Sequence, residues 1–124
     1  MHLLLIGIGG FAGAVSRYLV DGWVTGLTRG TFPWGTLAVN LSGSLVIGIA
    51  FALMVERAAL PADLRGPLMI GFIGAYTTFS TLALESWRLL EDGAYLHAVA
   101  NLGGSLVLGV MAVVMGIGIG RALA

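Results

Sequence analysis

The chain has no cysteine and no lysine, and only three prolines. Without cysteine there are no disulfides and no thiolate metal ligands. The two histidines, His2 and His97, stand far apart in sequence, so a metal cluster built on histidine is not expected. Charge is scarce too: 10% of residues are charged, against about a quarter in a typical soluble domain. The six cations are all arginine and match six acids, so the net charge is zero and no polyanion or nucleic-acid partner is implied. No nucleophile–base pair or metal set is visible, which argues against an enzyme.

Apolar residues take the place of charge, at 58% of the chain. They fall into four stretches, roughly Leu3–Val20, Leu37–Val55, Pro67–Leu90 and His97–Ile119. Each is close to the ~20 residues needed to cross hydrocarbon as a helix. The runs are long and lack period-two alternation, which argues against a β-barrel. The first has no basic residue ahead of it and outlasts a signal peptide, so it reads as a retained span. Phe32-Pro33-Trp34-Gly35 reads as a turn with an interfacial aromatic anchor. A polar loop from Glu56 to Gly66 follows the second stretch, and Glu91-Asp92-Gly93 turns the chain before the fourth. The expected fold is an all-α membrane protein with four transmembrane helices, one domain over residues 1–124.

The third stretch is interrupted by Gly71-Phe72-Ile73-Gly74-Ala75-Tyr76-Thr77-Thr78-Phe79-Ser80-Thr81. Glycine costs backbone entropy and threonine is stiff at χ1, so this run makes poor helix. In hydrocarbon a broken helix persists only where it is buried in protein or lines a polar path. A broken third helix is therefore expected, and such breaks mark ion or substrate sites. Back-bonding of the hydroxyls to i−4 carbonyls is the plainer alternative.

Four spans put both termini on one side, with Arg57, Arg65 and Arg121; Arg17, Arg29 and Arg88 fall on the other. This balance removes the arginine excess that normally orients a membrane protein. Insertion in both orientations, giving an antiparallel dimer, accounts for it; so does the small number of arginines.

Asn40–Gly48 and Asn101–Gly109 differ only at Ser42/Gly103 and Ile47/Leu108. Thr36, Asn40, Ser44 and Gly48 recur every four residues, as do His97, Asn101, Ser105 and Gly109, while Gly9, Gly13 and Arg17 do the same in the first stretch. Residues four apart share a helix face, so each helix carries a small-polar stripe. Close helix packing explains most of the glycines. For Asn40 and Asn101, packing and function stay open. Arg17 either snorkels at the end of its span or places a positive charge at the mouth of a polar path. Glu85 either pairs with Arg88 or lines a vestibule.

Four motifs give a more specific reading. Gly9-Gly10-x-x-Gly13-Ala14-x-x-Arg17-Tyr18, Phe32-Pro33-x-Gly35-Thr36-Leu37-x-Val39-Asn40-x-x-Gly43, and Gly71-Phe72-x-Gly74-x-x-Thr77-Thr78-Phe79-Ser80-Thr81 with Glu85 occur in order, followed by Ser105 and Gly109. Together they resemble the small bacterial fluoride channels called Fluc. The resemblance implies an antiparallel, dual-topology homodimer in the bacterial inner membrane, with two passive fluoride pores. It implies Asn40, Phe79, Ser80, Thr81 and Ser105 as pore residues, with Arg17 and Glu85 at the vestibules. It also implies a structural sodium ion at the dimer centre, held by the main-chain carbonyls of Gly74 and Thr77. At the family's second pore phenylalanine this chain has Leu82. A proton-coupled small-cation exporter, also an antiparallel four-helix dimer, is the competing expectation; it wants an acid buried inside a span, and the first span has none before Asp21. A packing subunit that transports nothing is the blander competitor.

Overall fold

The structure is a computed structural model describing residues 1–124, and every regular element in it is helical. Helix α1 spans His2–Leu27 and α2 spans Trp34–Phe51, prolonged by a π-helical turn, Ala52–Glu56. A short 3₁₀ turn, Ala62–Leu64, leads into a π-helical segment, Gly66–Ile73, that runs on as α3, Gly74–Tyr76. Helices α4, Phe79–Glu91, and α5, Tyr95–Leu123, complete the chain. Four helical stretches are long and apolar enough to cross a membrane: His2–Leu27, Trp34–Glu56, Ala62–Glu91 and Tyr95–Leu123.

The first of these is longer than the sequence suggests. At 1.5 Å per residue, α1 reaches about 39 Å, beyond the ~30 Å of hydrocarbon. Nothing after Val20 breaks it: the helix continues past Asp21 and stops only at Thr28, whose N–H returns to the Thr25 and Val24 carbonyls. Gly30, at φ 95°, then turns the chain toward Pro33. Arg17 and Asp21 thus lie within the helix and not at its end. The turn before α2 is the expected aromatic cluster, with Phe32 and Trp34 ring centroids 4.6 Å apart and His97 edge-on to Phe32 at 5.7 Å.

Glycine sets how closely the helices approach. A Cβ at Gly9 would strike the Pro67 carbonyl, and one at Gly13 the Phe72 carbonyl. Gly71 in turn lies against the backbone of Ile6 and Gly10. The glycine stripe of α1 therefore lets its backbone touch the π-helical segment directly. Helix α2 meets α5 in the same way: a Cβ at Gly48 would stand 3.1 Å from Gly116 Cα, and a Cβ at Gly116 would stand 3.1 Å from Gly48 Cα. Ser44 lies near Gly109, and Ala52 lies against Gly120, so the two helices run parallel. The matching segments of α2 and α5 are offset along this crossing, with Gly48 meeting Gly116 and not its counterpart Gly109.

Between these contacts sits a small core of Ala50, Met54 and Ile73, with Ile47, Leu68, Met69 and Phe72 around it. Arg65 closes the loop beneath it, Nη2 donating to the Met54 carbonyl at 2.6 Å. Arg121 ties α5 to the end of the Ala52–Glu56 turn through a two-pronged pair with Glu56, at 2.8 and 2.7 Å. Large apolar side chains stay exposed along α1 and α5, among them Leu3, Phe11, Leu19, Leu106, Val110 and Val114. Such faces suit lipid or another subunit.

Gly116→Ile should separate α2 from α5, lowering the melting temperature of the detergent-solubilised protein by an amount equivalent to ~3 kcal/mol or more. Gly118→Ala is the control, because a Cβ there meets nothing within 4 Å. It should melt at or above the parent temperature, as expected for replacing helical glycine by alanine.

Candidate functional site

Helix α3 stops at Tyr76 and α4 starts at Phe79; Thr77 (φ −81°, ψ 157°) and Thr78 (φ −148°, ψ 119°) between them are extended. Two extended residues strip the helical hydrogen bonds from several backbone groups, and burial makes such losses costly unless other partners step in. Asn40 of α2 supplies them. Its Nδ2 donates to the Thr78 carbonyl at 3.0 Å, and its Oδ1 accepts from the Thr78 N–H at 2.8 Å. The side-chain amide thus pairs with Thr78 as a neighbouring strand would.

The remaining groups are satisfied locally. The Thr77 N–H and hydroxyl both donate to the Ile73 carbonyl, at 3.0 and 3.1 Å. Thr78 caps α4: its Oγ1 accepts from the Thr81 N–H at 3.3 Å, and its hydroxyl donates to Thr81 Oγ1 at 3.1 Å. Arg17 reaches the end of α3 from α1, Nε donating to the Ala75 carbonyl at 3.3 Å. The Thr77 carbonyl receives no N–H or side-chain donor. The Thr78 N–H that would serve Gly74 in a continuous helix goes to Asn40 instead.

A cavity of about 560 Å³ opens beside this segment, walled by Asn40 and Ser44 of α2, Thr77–Phe79, Leu82 of α4, and Leu102 and Ser105 of α5, among others. Three residues singled out in the sequence, Asn40, Phe79 and Ser105, therefore share one wall. Phe79 projects from the fold, 79% exposed. Ser80 and Thr81 do not line the cavity: Ser80 points outward, and Thr81 Oγ1 turns to the α4 cap, where it accepts from the Thr78 hydroxyl. Helical rotation is the reason, since consecutive residues of α4 turn by about 100° and only Phe79 and Leu82 face the cavity.

A second cavity, of about 350 Å³, lies toward the other end of α4. Asp21, Thr25, Thr31, Glu85, Arg88 and Asp92 are among its walls. Glu85 does not pair with Arg88; its Oε2 accepts from the buried Thr36 hydroxyl at 3.0 Å. No three His, Cys, Asp or Glu side chains converge in the way a metal site would need. Thr78 and Thr36 are the residues that sequence reasoning undervalued. Thr78 lay in the hydroxyl run, and its spacing to Thr81 matches an N-cap. Thr36 lay in the α2 stripe, but nothing local pairs it with Glu85.

Residues 4–117 match the family described as CrcB-like protein, Camphor Resistance (CrcB). The chain is 46% identical over 120 residues to a protein of Hahella chejuensis, covering 97% of this chain and 94% of that one. It is 45% identical over 123 residues to a protein of Syntrophotalea carbinolica, covering 99% and 100%. It is 44% identical over 122 residues to one of Citrifermentans bemidjiense, covering 98% of each. All three relatives are named fluoride-specific ion channel FluC. Matching over nearly its whole length, with four helices fit to cross a bilayer, this multi-pass membrane protein belongs to the CrcB family of ion channels.

Proposed function

We propose that the protein is a fluoride-selective passive channel of the bacterial inner membrane, carrying cytoplasmic fluoride down its electrochemical gradient. Beyond family membership, the observation that carries this reading is the extended Thr77–Thr78 segment, clasped by Asn40 on the wall of a cavity that Phe79 and Ser105 share. We read that segment as the break in a third transmembrane helix. Broken helices buried at mid-membrane depth serve ion sites because they present polar backbone without exposing it to lipid.

Fluoride is small and strongly hydrated, so a pathway must replace its water with close donors in a low-dielectric setting. Asn40 keeps one Nδ2 hydrogen beyond the bond to Thr78. The Ser105 hydroxyl has no partner and is free to donate. Phe79 offers the positive edge of its ring. Leu82 fills the next level of the cavity with apolar surface, keeping it dry without contributing a donor. Ser80 and Thr81 remain pore residues in this reading only where the pathway passes outside that cavity. Toward the far end of α4, the cavity holding Glu85 serves as a vestibule. Arg17, a fixed positive charge within α1 bonded to the end of α3, favours anions nearby.

The working unit in this reading is an antiparallel homodimer with a pore on each side. The exposed apolar faces, the balanced arginines and the family support it. The Thr77 carbonyl, which receives no donor, and the Gly74 carbonyl, whose helical donor goes to Asn40, suit a hard cation that takes oxygen ligands, such as sodium. Bound between two subunits, that ion would supply positive charge and tie the two broken helices together.

Fluoride efflux from liposomes, followed with a fluoride electrode, tests the central reading; a purified dimer that leaves the liposomes as fluoride-tight as empty vesicles overturns it, and proton-coupled cation flux in its place would point to an exporter. Asn40→Leu and Phe79→Ile should each slow efflux by about a hundredfold, the equivalent of ~2.7 kcal/mol of barrier. Both should keep the dimer peak on size exclusion, and Asn40→Leu, which also unpairs Thr78, should lower the melting temperature as well. For the orientation, a cysteine introduced at Ala124 should react with impermeant maleimide from both sides of the membrane; one-sided reaction excludes dual topology. Leu82→Phe should change the initial efflux rate by less than tenfold, ~1.4 kcal/mol, because Leu already fills that level. A larger rise would mean that the pathway needs a second ring.

A further inference from the structure

All three tryptophans of the chain stand at one end of the fold. Trp23 lies near the end of α1, Trp34 opens α2 and Trp87 lies near the end of α4; Tyr95, the first residue of α5, joins them. The Thr31–His97 bond brings these helix ends together, as does the smaller cavity, walled by Asp21, Thr31, Arg88 and Asp92 among others. The four aromatic side chains are between 46% and 68% exposed, so the core does not account for them. None of the three indole N–H groups donates to a protein acceptor.

The opposite end has a different chemistry. It is built from the start of α1, the Glu56–Gly66 loop and the end of α5, joined by Arg121 on Glu56 and by His2 against Gly66. Residues 1–10, 50–66 and 115–124 contain no tryptophan or tyrosine; His2, Arg57, Arg65 and Arg121 stand there instead. The hydrocarbon fits between the two ends. From His2 to Trp23 is about 32 Å along α1, against ~30 Å for a bilayer core, and Trp34 to Glu56 is nearly as far. Trp87 lies about 12 Å along α4 from Phe79, which brings it to the same level when the Thr77–Thr78 break is at mid-depth.

Tryptophan and tyrosine concentrate where acyl chains meet headgroups, because only there are a large apolar ring and its polar N–H or O–H satisfied together. Membrane proteins ordinarily carry such residues at both faces; this subunit carries them at one. We infer that Trp23, Trp34, Trp87 and Tyr95 form a phospholipid-binding belt that seats this end of each subunit at the headgroup boundary of a single leaflet. The indole N–H groups donate to the ester and phosphate oxygens of the lipid. On the antiparallel reading above, a dimer carries one belt in each leaflet; the belt itself does not depend on that reading.

Depth-resolved quenching of the native tryptophan fluorescence tests this, with the purified dimer in phosphatidylcholine liposomes. One lipid carries bromine high on the acyl chain, close to the headgroup, and the other carries it near the chain end. The upper label should quench at least about twofold more strongly. Equal quenching by the two, or stronger quenching by the chain-end label, overturns the belt. So does a failure of both to quench, which would put a protein surface over these rings. Three variants then keep one tryptophan each: Trp34→Phe with Trp87→Phe, Trp23→Phe with Trp87→Phe, and Trp23→Phe with Trp34→Phe. Each should report the upper level, and a lone tryptophan at the bilayer centre overturns a belt at one level. Where a variant does not fold, the parent's quenching decides. Fluoride efflux is followed on the same liposomes. A fluoride-tight dimer whose tryptophans lie at the upper level overturns the channel reading and keeps the belt; a conducting dimer with deep tryptophans overturns the belt alone.

Discussion

Backbone polar groups cannot be left unpaired in hydrocarbon, and the structure around Asn40 follows from that constraint. Thr77 and Thr78 leave the helical path. Their polar groups are recovered by an amide from another helix, a hydroxyl cap and a back-bond to Ile73. Asn is suited to the task because one side chain carries a donor and an acceptor in the plane of a peptide group. Leucine at that position would leave a buried N–H and a buried carbonyl unpaired, each costing roughly 1–3 kcal/mol. Asn40 is therefore the residue that makes the interruption tolerable.

Glycine decides whether Asn40 can reach. The contact of α2 with α5 at Gly48 and Gly116, and of α1 with the Gly66–Ile73 segment at Gly9, Gly13 and Gly71, draws the helices together at backbone distance. These contacts hold α3 and α4 beside α2 and bring Ser105 of α5 onto the same wall. Helix association in a membrane draws on packing and polar contacts more than on apolar burial. In this chain the small residues do the packing, and Asn40, Thr36 and Asn101 make the polar contacts.

In the proposed channel donors are few, because every hydrogen bond that stabilises the fold withdraws one from the ion. The Thr78 hydroxyl and the Thr81 N–H are consumed in the α4 cap, and the Thr36 hydroxyl is committed to Glu85. What remains near the larger cavity is one Asn40 hydrogen, the Ser105 hydroxyl and an aromatic edge. In the proposed channel so sparse a set would let an ion enter and leave, because no site holds it with a full shell of ligands.

Much of this was legible in the chain itself. Apolar runs of membrane-spanning length, four Ser and Thr hydroxyls among five residues after two glycines, and small-polar residues at intervals of four determine a helical membrane protein and locate the interruption near residue 77, because hydropathy and local propensity act over short stretches of sequence. The sequence also singled out Asn40, Phe79 and Ser105. It did not separate them from Ser80 and Thr81, because which face of α4 meets the cavity depends on where that helix begins and on its rotation against α5. The length of α1, the π-helical turns and the Thr36–Glu85 bond were likewise invisible. Each depends on residues far apart in the chain meeting at a particular depth and rotation, and only the packed tertiary structure decides which donors the fold consumes and which it leaves unpaired.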